Sequence, residues 1–542
     1  MNKLPTVAYF SMEYGLDTSF KTYAGGLGIL AGDYIKGAKD FNFPIVGIGL
    51  KWKQGYTDQM IDKNGKAYDT YHNYEYDFLE DTNLSVTVKV RGRDVICKIY
   101  KVDCFGNNPL YLLDTDIPEN DDAWITGQLY GWFGEERVAQ EIVLGIGGIK
   151  ALRALNIDID VYHFNEGHPV FAAFELINEK IEKGLSYVDA FKATREEIVF
   201  TTHTPVIQGN EEHYIDRLMY MGANNGLSKE QLIEIGNDPF NMTVAALHLS
   251  RMSNAVAKLH METANDMWDH VKNRSKILGI TNAIHKPTWV DSRILKSAKD
   301  KDLNSIWKYH MENKKALIDF IYERNGVRLN SSKLLIGFSR RAAPYKRSDL
   351  IFTDKSIIEP LLKEQKIQIV FSGKAHPLDD NGKQIVQNLV AMSKLYPNAV
   401  VFLENYDMTI GAKLTRGSDI WLNNPRRPKE ASGTSGMKAA MNGVLNFSTL
   451  DGWWPEACKH GINGWAFGGA KTAEDFDDDL TLLDAHDVKE LYSSLLNEVI
   501  PTYYDNHSKW LDMMLSSITT TEKQFDVKRM LEEYYENLYK IK

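Results

Sequence analysis

The segment PRRPKEASGTSGMKAAMNGVLNFSTLDGWW, residues 425–454, holds the densest group of residues able to do chemistry. Ser432, Gly433, Thr434, Ser435 and Gly436 lead into an Ala-rich run, so small hydroxyl side chains and free N–H groups meet at a helix start, where an anion is well held. The pattern predicts Lys438 in the first turn of that helix, among the apolar Met437, Ala439, Ala440 and Met441. A desolvated amine near other cations has a lowered pKa and is suited to forming a Schiff base. A lysine whose stem lies on apolar surface and whose head reaches water fits the same pattern. Chemistry alone leaves both readings open.

Three further groups accompany it. SRRAAPYKRS, residues 339–348, follows the apolar run KLLIGF and brings Arg340, Arg341, Lys346 and Arg347 to the end of a predicted strand. Forked guanidinium groups and a point-charge ammonium there suit an oxyanion, although a solvated basic turn has the same composition. YAGGLGILAGDY, residues 23–34, places Gly25, Gly26 and Gly28 before a helical run, either an anion-binding turn or a tight packing loop. FNEGHP with Glu166 and His168, TTHTP with His203, and GITNAIH with Asn282 and His285 also fall at predicted strand ends. Histidines and amides there are able to grip sugar hydroxyls or stabilise a cationic transition state, although a single histidine is often only a packed core residue. No metal site is expected, since the chain has no HExxH, cysteine cluster or EF-hand loop. GxSxG and Walker A sequences are missing as well.

These groups need a scaffold of strands that end in loops. TVAYFSMEYG, PIVGIGLKW, DVYHFNEGHP and IVFTTHTP read as strands with their loops, and KLLIGFS, IQIVFSGK, AVVFLE and DIWLNNP repeat the pattern after a charged helical stretch near 304–324. The expected class is α/β, with two doubly wound, Rossmann-like domains and the active site in the cleft between them. Residues 1–300 form the first, with a β insertion near 85–113, and 301–515 the second. The C-terminal helices of 516–542 are expected to pack back towards the first domain on their apolar stripe.

A chain of 542 residues exceeds a single core, which stops growing at roughly 250–300 residues. A formal charge of −10 with scattered Lys and Arg argues against nucleic acid or an anionic membrane as partner and suits a neutral polymer. The opening MNKLPTVAYFSMEYG lacks the apolar core of a signal peptide, no apolar run is long enough to span a bilayer, and the three cysteines form no CxxC pair. The cytoplasm is the expected compartment.

Taken in order, AGGLGILA, RRAAPYKR and EASGTSGMK give the chain its resemblance to the α-glucan phosphorylases, the glycogen, starch and maltodextrin phosphorylase family, from YFSMEYG to DGWW and in a shorter form. The resemblance implies a GT-B architecture and pyridoxal 5′-phosphate bound as a Schiff base to Lys438. It places the cofactor near Gly25, Gly26, Thr434, Ser435, Arg340 and Tyr406. Arg341 and Lys346 match ligands of the substrate phosphate. Glu430, Ser432, Gly433, Asn282 and His203 match residues around the glucose at the cleavage point, and His168 and Glu166 lie towards the acceptor glucan. The implied catalytic set is Lys438, Arg341, Lys346 and His203. The reaction is retaining phosphorolysis by inorganic phosphate, which needs no carboxylate pair of the glycosidase kind.

The chain departs from the family pattern at Ala343 and Pro344, where a His-Glu pair is expected, at Asp407, where an arginine is expected, and at Arg340, which replaces a lysine. The family is commonly dimeric, so a homodimer is a possible assembly. The short length implies loss of nucleotide and phosphorylation control. The competing readings are a nucleotide-sugar glycosyltransferase on the same scaffold and a non-catalytic glucan-binding protein.

Overall fold

The computed structural model describes residues 3–540. The chain divides into two compact units, one made of residues up to Tyr56, Tyr71–Thr281 and the chain from Val527, the other of Thr57–Thr70 and Asn282–Asp526.

In the first unit a nine-stranded sheet runs in the order Lys276–Gly279, Met252–Ala255, Ile198–Thr201, Val161–Asn165, Val7–Phe10, Ile45–Leu50, Leu110–Asp114, Arg93–Val102, Glu80–Val90. The first seven pair in parallel, and the last two add an antiparallel edge. The strands near 85–113 thus extend the main sheet, since Leu110–Asp114 pairs in parallel with Ile45–Leu50. Chain order reverses at Val7–Phe10, whose neighbours are Ile45–Leu50 and Val161–Asn165. At such a switch point the loops after adjacent strands diverge and leave a crevice, so the residues after Phe10 and Asn165 are placed to meet a ligand.

The second unit has a six-stranded, wholly parallel sheet in the order Val400–Leu403, Ile367–Ser372, Leu334–Ser339, Ile420–Asn423, Leu445–Thr449, Gly464–Phe467. Every residue of LLIGFS and IQIVFS is buried, which explains why these strands read as apolar runs and not as alternations. The switch point lies between Leu334–Ser339 and Ile420–Asn423, and the loops that follow them are RRAAPYKR and the approach to EASGT.

The C-terminal helix Val527–Asn537 belongs to the first unit and packs on the helix Gly26–Asp40. Gly37 permits that approach, because a Cβ there would lie 2.6 Å from a Val527 methyl. Beyond it the Tyr539 hydroxyl bonds the Tyr34 hydroxyl and lies 2.5 Å from His163 Nδ1. No described helix is long and apolar enough to cross a membrane.

Candidate functional site

In the second unit the switch point assembles a buried charge cluster. Glu430 Oε1 lies 2.5 Å from an Arg340 nitrogen, and Oε2 accepts from Lys346 Nζ at 2.5 Å. Burial works to raise the Glu430 carboxyl, but the two cations outweigh it and hold its pKa at about 2. Arg340 also donates to Ser435 Oγ at 3.0 Å, tying the basic loop to the helix that carries Lys438. Arg341 remains exposed, so it is Arg340 that joins Lys346 on the carboxylate.

Pro344 opens the 3-10 turn Pro344–Lys346, its ring presetting φ for the turn that delivers Lys346. Asp407 caps the helix Met408–Gly417 by accepting from Ile410 N–H at 2.8 Å. Tyr406 precedes it, its hydroxyl raised to about 12 by burial and the Asp407 charge. Asp451, in the DGWW segment, was not singled out from sequence. Its two oxygens accept from the Glu430 and Gly452 N–H groups at 3.0 and 2.8 Å, and burial plus the Glu430 charge push it up to about 8.

Lys438 is the fifth residue of the helix Thr434–Met441, so it lies one turn further along than the predicted first turn. The helix starts later than its small residues suggest because Gly433 takes a left-handed φ of +89°, a turn conformation that glycine adopts without strain. Lys438 is 5% exposed, with Nζ 3.5 Å from the centre of the Trp289 ring. That geometry is a cation–π contact of a desolvated amine, which excludes the snorkelling alternative. Asn442 fixes both partners, donating to Lys438 O at 2.8 Å and Trp289 O at 3.1 Å. No side chain caps the helix start at Gly433, and the buried Ser432 Oγ has no hydrogen-bond partner among the described residues. Asn282 and His285 are buried in the same unit, His285 bonding Thr288 just before Trp289.

The first unit gathers the remaining predicted residues. Glu166 has a φ of +72° and accepts from the His203 N–H at 2.8 Å and the Thr204 hydroxyl at 3.1 Å. Burial raises it to about 7 against those donors. His203 Nε2 sits 2.6 Å from the Asn165 amide oxygen, an acceptor only, so Nε2 carries the proton. Burial lowers His203 to about 3 and His168 to about 4, leaving both neutral at ordinary pH. His168 Nδ1 is buried with no partner among the described residues.

Glu13, which sequence reasoning missed, takes the glycine-loop donors: its Oε2 accepts from Ala24 and Gly25 N–H at 2.6 and 2.9 Å, and Oε1 from the Tyr130 hydroxyl at 3.1 Å. Around Gly25 and Gly26 an added Cβ would meet nothing within 4 Å. Glu141, Glu211 and His213 form a carboxylate–histidine trio, with Arg137 Nη1 3.1 Å from both Glu211 oxygens already supplying positive charge. A 670 Å³ pocket lined in part by Tyr187, Phe191, Glu234 and His248 includes none of the predicted residues.

Comparison with known proteins places this geometry. Residues 275–460, which carry the whole Arg340–Lys346–Glu430–Lys438 constellation, match the model of the carbohydrate phosphorylases. The chain is 38% identical to a maltodextrin phosphorylase of Thermococcus litoralis, over 98% of this chain and 70% of the relative, and 34% identical to a glycogen phosphorylase of Aquifex aeolicus, over 98% and 86%. The chain belongs to the carbohydrate phosphorylase family. An uncharacterized protein of Methanocaldococcus jannaschii, 39% identical, matches over 98% of this chain and 99% of its own length.

Phosphorylases of this family are in general dependent on pyridoxal phosphate. The donor set fits that group. Lys438 offers a buried primary amine beside an aromatic ring, and the uncapped helix start, the Thr434 and Ser435 hydroxyls and Arg340 suit a phosphate.

Proposed function

We propose that this chain is an α-1,4-glucan phosphorylase, transferring the non-reducing-end glucose of an α-glucan or maltodextrin to inorganic phosphate to give α-D-glucose 1-phosphate with retention. The observation that carries the reading is the buried cluster of Arg340 and Lys346 on Glu430, beside Lys438 in the segment matched to the family. Lys438 would hold pyridoxal phosphate, with Thr434, Ser435 and Tyr406 around it. When bound, the cofactor supplies a second phosphate able to exchange a proton with the substrate phosphate.

The chain's own groups account for the remaining requirements. Arg341 and Lys346 would bind inorganic phosphate, Arg341 from the exposed part of the basic loop and Lys346 from its buried end beside Arg340, where charge acts with little screening. The phosphate gives its proton to the glycosidic oxygen, the bond from that oxygen to the anomeric carbon breaks, and an oxygen of the same phosphate closes on that carbon. The proton ends on the 4-hydroxyl of the shortened glucan. Glu430, held at about 2, stays ionised at neutral pH and accepts from sugar hydroxyls instead of protonating the leaving group. Neutral His203 and His168 and the Glu166 carboxyl supply sugar contacts in the first unit.

Incubation of the pyridoxal-phosphate-loaded protein with maltodextrin and phosphate should release glucose 1-phosphate. No product across several α-glucans would refute the reading. Borohydride reduction should fix the cofactor to the Lys438 peptide and not to Lys438→Ala, an outcome that a nucleotide-sugar transferase would not give.

A further inference from the structure

Behind the phosphate cluster lies a second charge network that the reaction itself does not use, with Asp487, Arg347 and Arg427 buried at its centre. Asp487, on the helix Leu480–Ser494, is 0% exposed. Its Oδ2 accepts from Arg347 Nη2 at 2.8 Å and its Oδ1 from Arg427 Nη2 at 2.7 Å. Arg347 immediately follows Lys346, and Arg427 stands three residues before Glu430. One carboxylate therefore joins the two loops whose tips meet in the 2.5 Å contact of Lys346 with Glu430.

The lacing between those loops is dense. Arg347 holds a left-handed φ of +51°, unusual for a residue with a side chain, and donates through Nε to Asn424 O at 2.8 Å and through Nη2 to Pro425 O at 3.0 Å. Asn424 returns a bond to Arg347 O at 2.7 Å, and Arg426 N–H donates to Tyr345 O at 2.9 Å. Asp484, one turn before Asp487 on the same helix, binds Arg426 and Arg347. Three arginines thus face two carboxylates, leaving one positive charge in excess behind the phosphate site.

We propose that Asp487 is a positioning residue for phosphate: it acts through Arg347 and Arg427 to set the register of the loops that carry Lys346 and Glu430. The proposal deepens the phosphorylase reading and rests on it. Positioning and bulk electrostatics predict opposite signs. If Asp487 only reduced the positive potential behind the site, neutralising it would strengthen phosphate binding. If it sets the register, neutralising it separates Lys346 from the place where phosphate binds, and binding weakens. The fixed geometry favours the second, since Arg347 ties its loop to Asn424 O and Pro425 O at 2.8 and 3.0 Å while Asp487 holds that guanidinium at 2.8 Å and Arg427 at 2.7 Å.

The test uses the full chain loaded with pyridoxal phosphate and the variant Asp487→Asn. The phosphate KM should rise about 10- to 100-fold with a lower kcat, as expected for a misplaced binding group, while the maltodextrin KM stays within about twofold. A companion, Asp487→Asn with Arg427→Met, removes one buried cation with the anion and should recover thermal stability while the phosphate KM stays high. This companion carries the test if the single variant fails to fold. A phosphate KM that falls, stays unchanged or returns with stability would overturn the proposal, as would equal rises for both substrates. If the unaltered protein makes no glucose 1-phosphate, the phosphorylase reading fails instead, and phosphate-induced thermal stabilisation of the same variants still decides the role of Asp487.

Discussion

At the scale of single residues the site is organised by competition for Arg340 and Lys346. Both cations are held by Glu430, so under the proposed reading a phosphate at Lys346 would share that cation with a carboxylate. Glu430→Gln should therefore lower the melting temperature without phosphate, because removing one partner of a buried ion pair costs about 3–5 kcal/mol. Added phosphate should recover more of the loss in the variant than it adds to the unaltered protein, since ligand binding to the folded state stabilises by mass action. An equal phosphate-induced shift in both would contradict the shared-cation account. Glu166 supplies a second residue-level expectation. Its carboxyl titrates near 7, so as pH falls through that value it gains a proton and holds the His203 N–H less strongly. The maltodextrin KM should rise below about pH 7, and Glu166→Gln should flatten that limb of the profile.

At the scale of elements, two departures from the family pattern have physical roles that sequence comparison leaves open. Pro344 shapes the turn that delivers Lys346, and Asp407 caps a helix. Replacing Asp407 by the arginine that the pattern expects should remove the cap and cost about 1 kcal/mol of stability, with no gain in phosphorolysis. Denaturant midpoints of the two proteins check the first part and a glucose 1-phosphate assay the second. Gly433 is the other sensitive position. A side chain at φ +89° is strained, and Gly433→Ala should cost about 1–2 kcal/mol, where a compatible site would gain stability from the same change, and should reduce cofactor loading measured by absorbance.

At the scale of the whole molecule, the buried titratable groups set a pH window. His168, His203 and His260 have folded values lowered to about 4, 3 and 4, so the unfolded chain binds more protons below about 6.5, and their neutral burial loses its stabilising effect as pH falls. Glu430, also depressed, adds to the loss below about 4.5. Asp451 and Glu166 are raised, so the folded chain holds more protons there, and stability falls as pH rises from about 4 towards 7–8. The melting temperature should peak near pH 6–7, and a maximum above pH 8 would contradict this balance. The C-terminal segment is a further whole-molecule constraint. Removing residues 527–542 should destabilise the first unit strongly, because Tyr34 and His163 would lose the Tyr539 hydroxyl and the Gly37 face would lose Val527.

The strands of both sheets that run as buried apolar stretches, KLLIGFS and IQIVFSGK above all, were legible because a parallel strand covered on both faces must be apolar along its length. MSNA, Met252–Ala255, was not, since its Ser253 and Asn254 are fully buried and are satisfied only by distant partners, Asn254 by Thr201 at 2.6 Å and Tyr534 at 3.0 Å. The same distinction runs through the site. Lys438, Arg340, Lys346 and the small residues of EASGTS were readable because their chemistry is local, and a run of a few residues suffices to bring cations or hydroxyls to one turn, whereas Glu430 entered only through the family resemblance. Glu13, Trp289, Asp451 and Asp487 were not, because each acts on groups many positions away and a lone acid or tryptophan has no local signature. Sequence by itself determined which residue types stand at the strand ends and which family they belong to. Only the tertiary structure decided that Arg340 and not Arg341 shares Glu430 with Lys346, and that Lys438 lies under Trp289, because those pairings depend on where loops far apart in the chain converge.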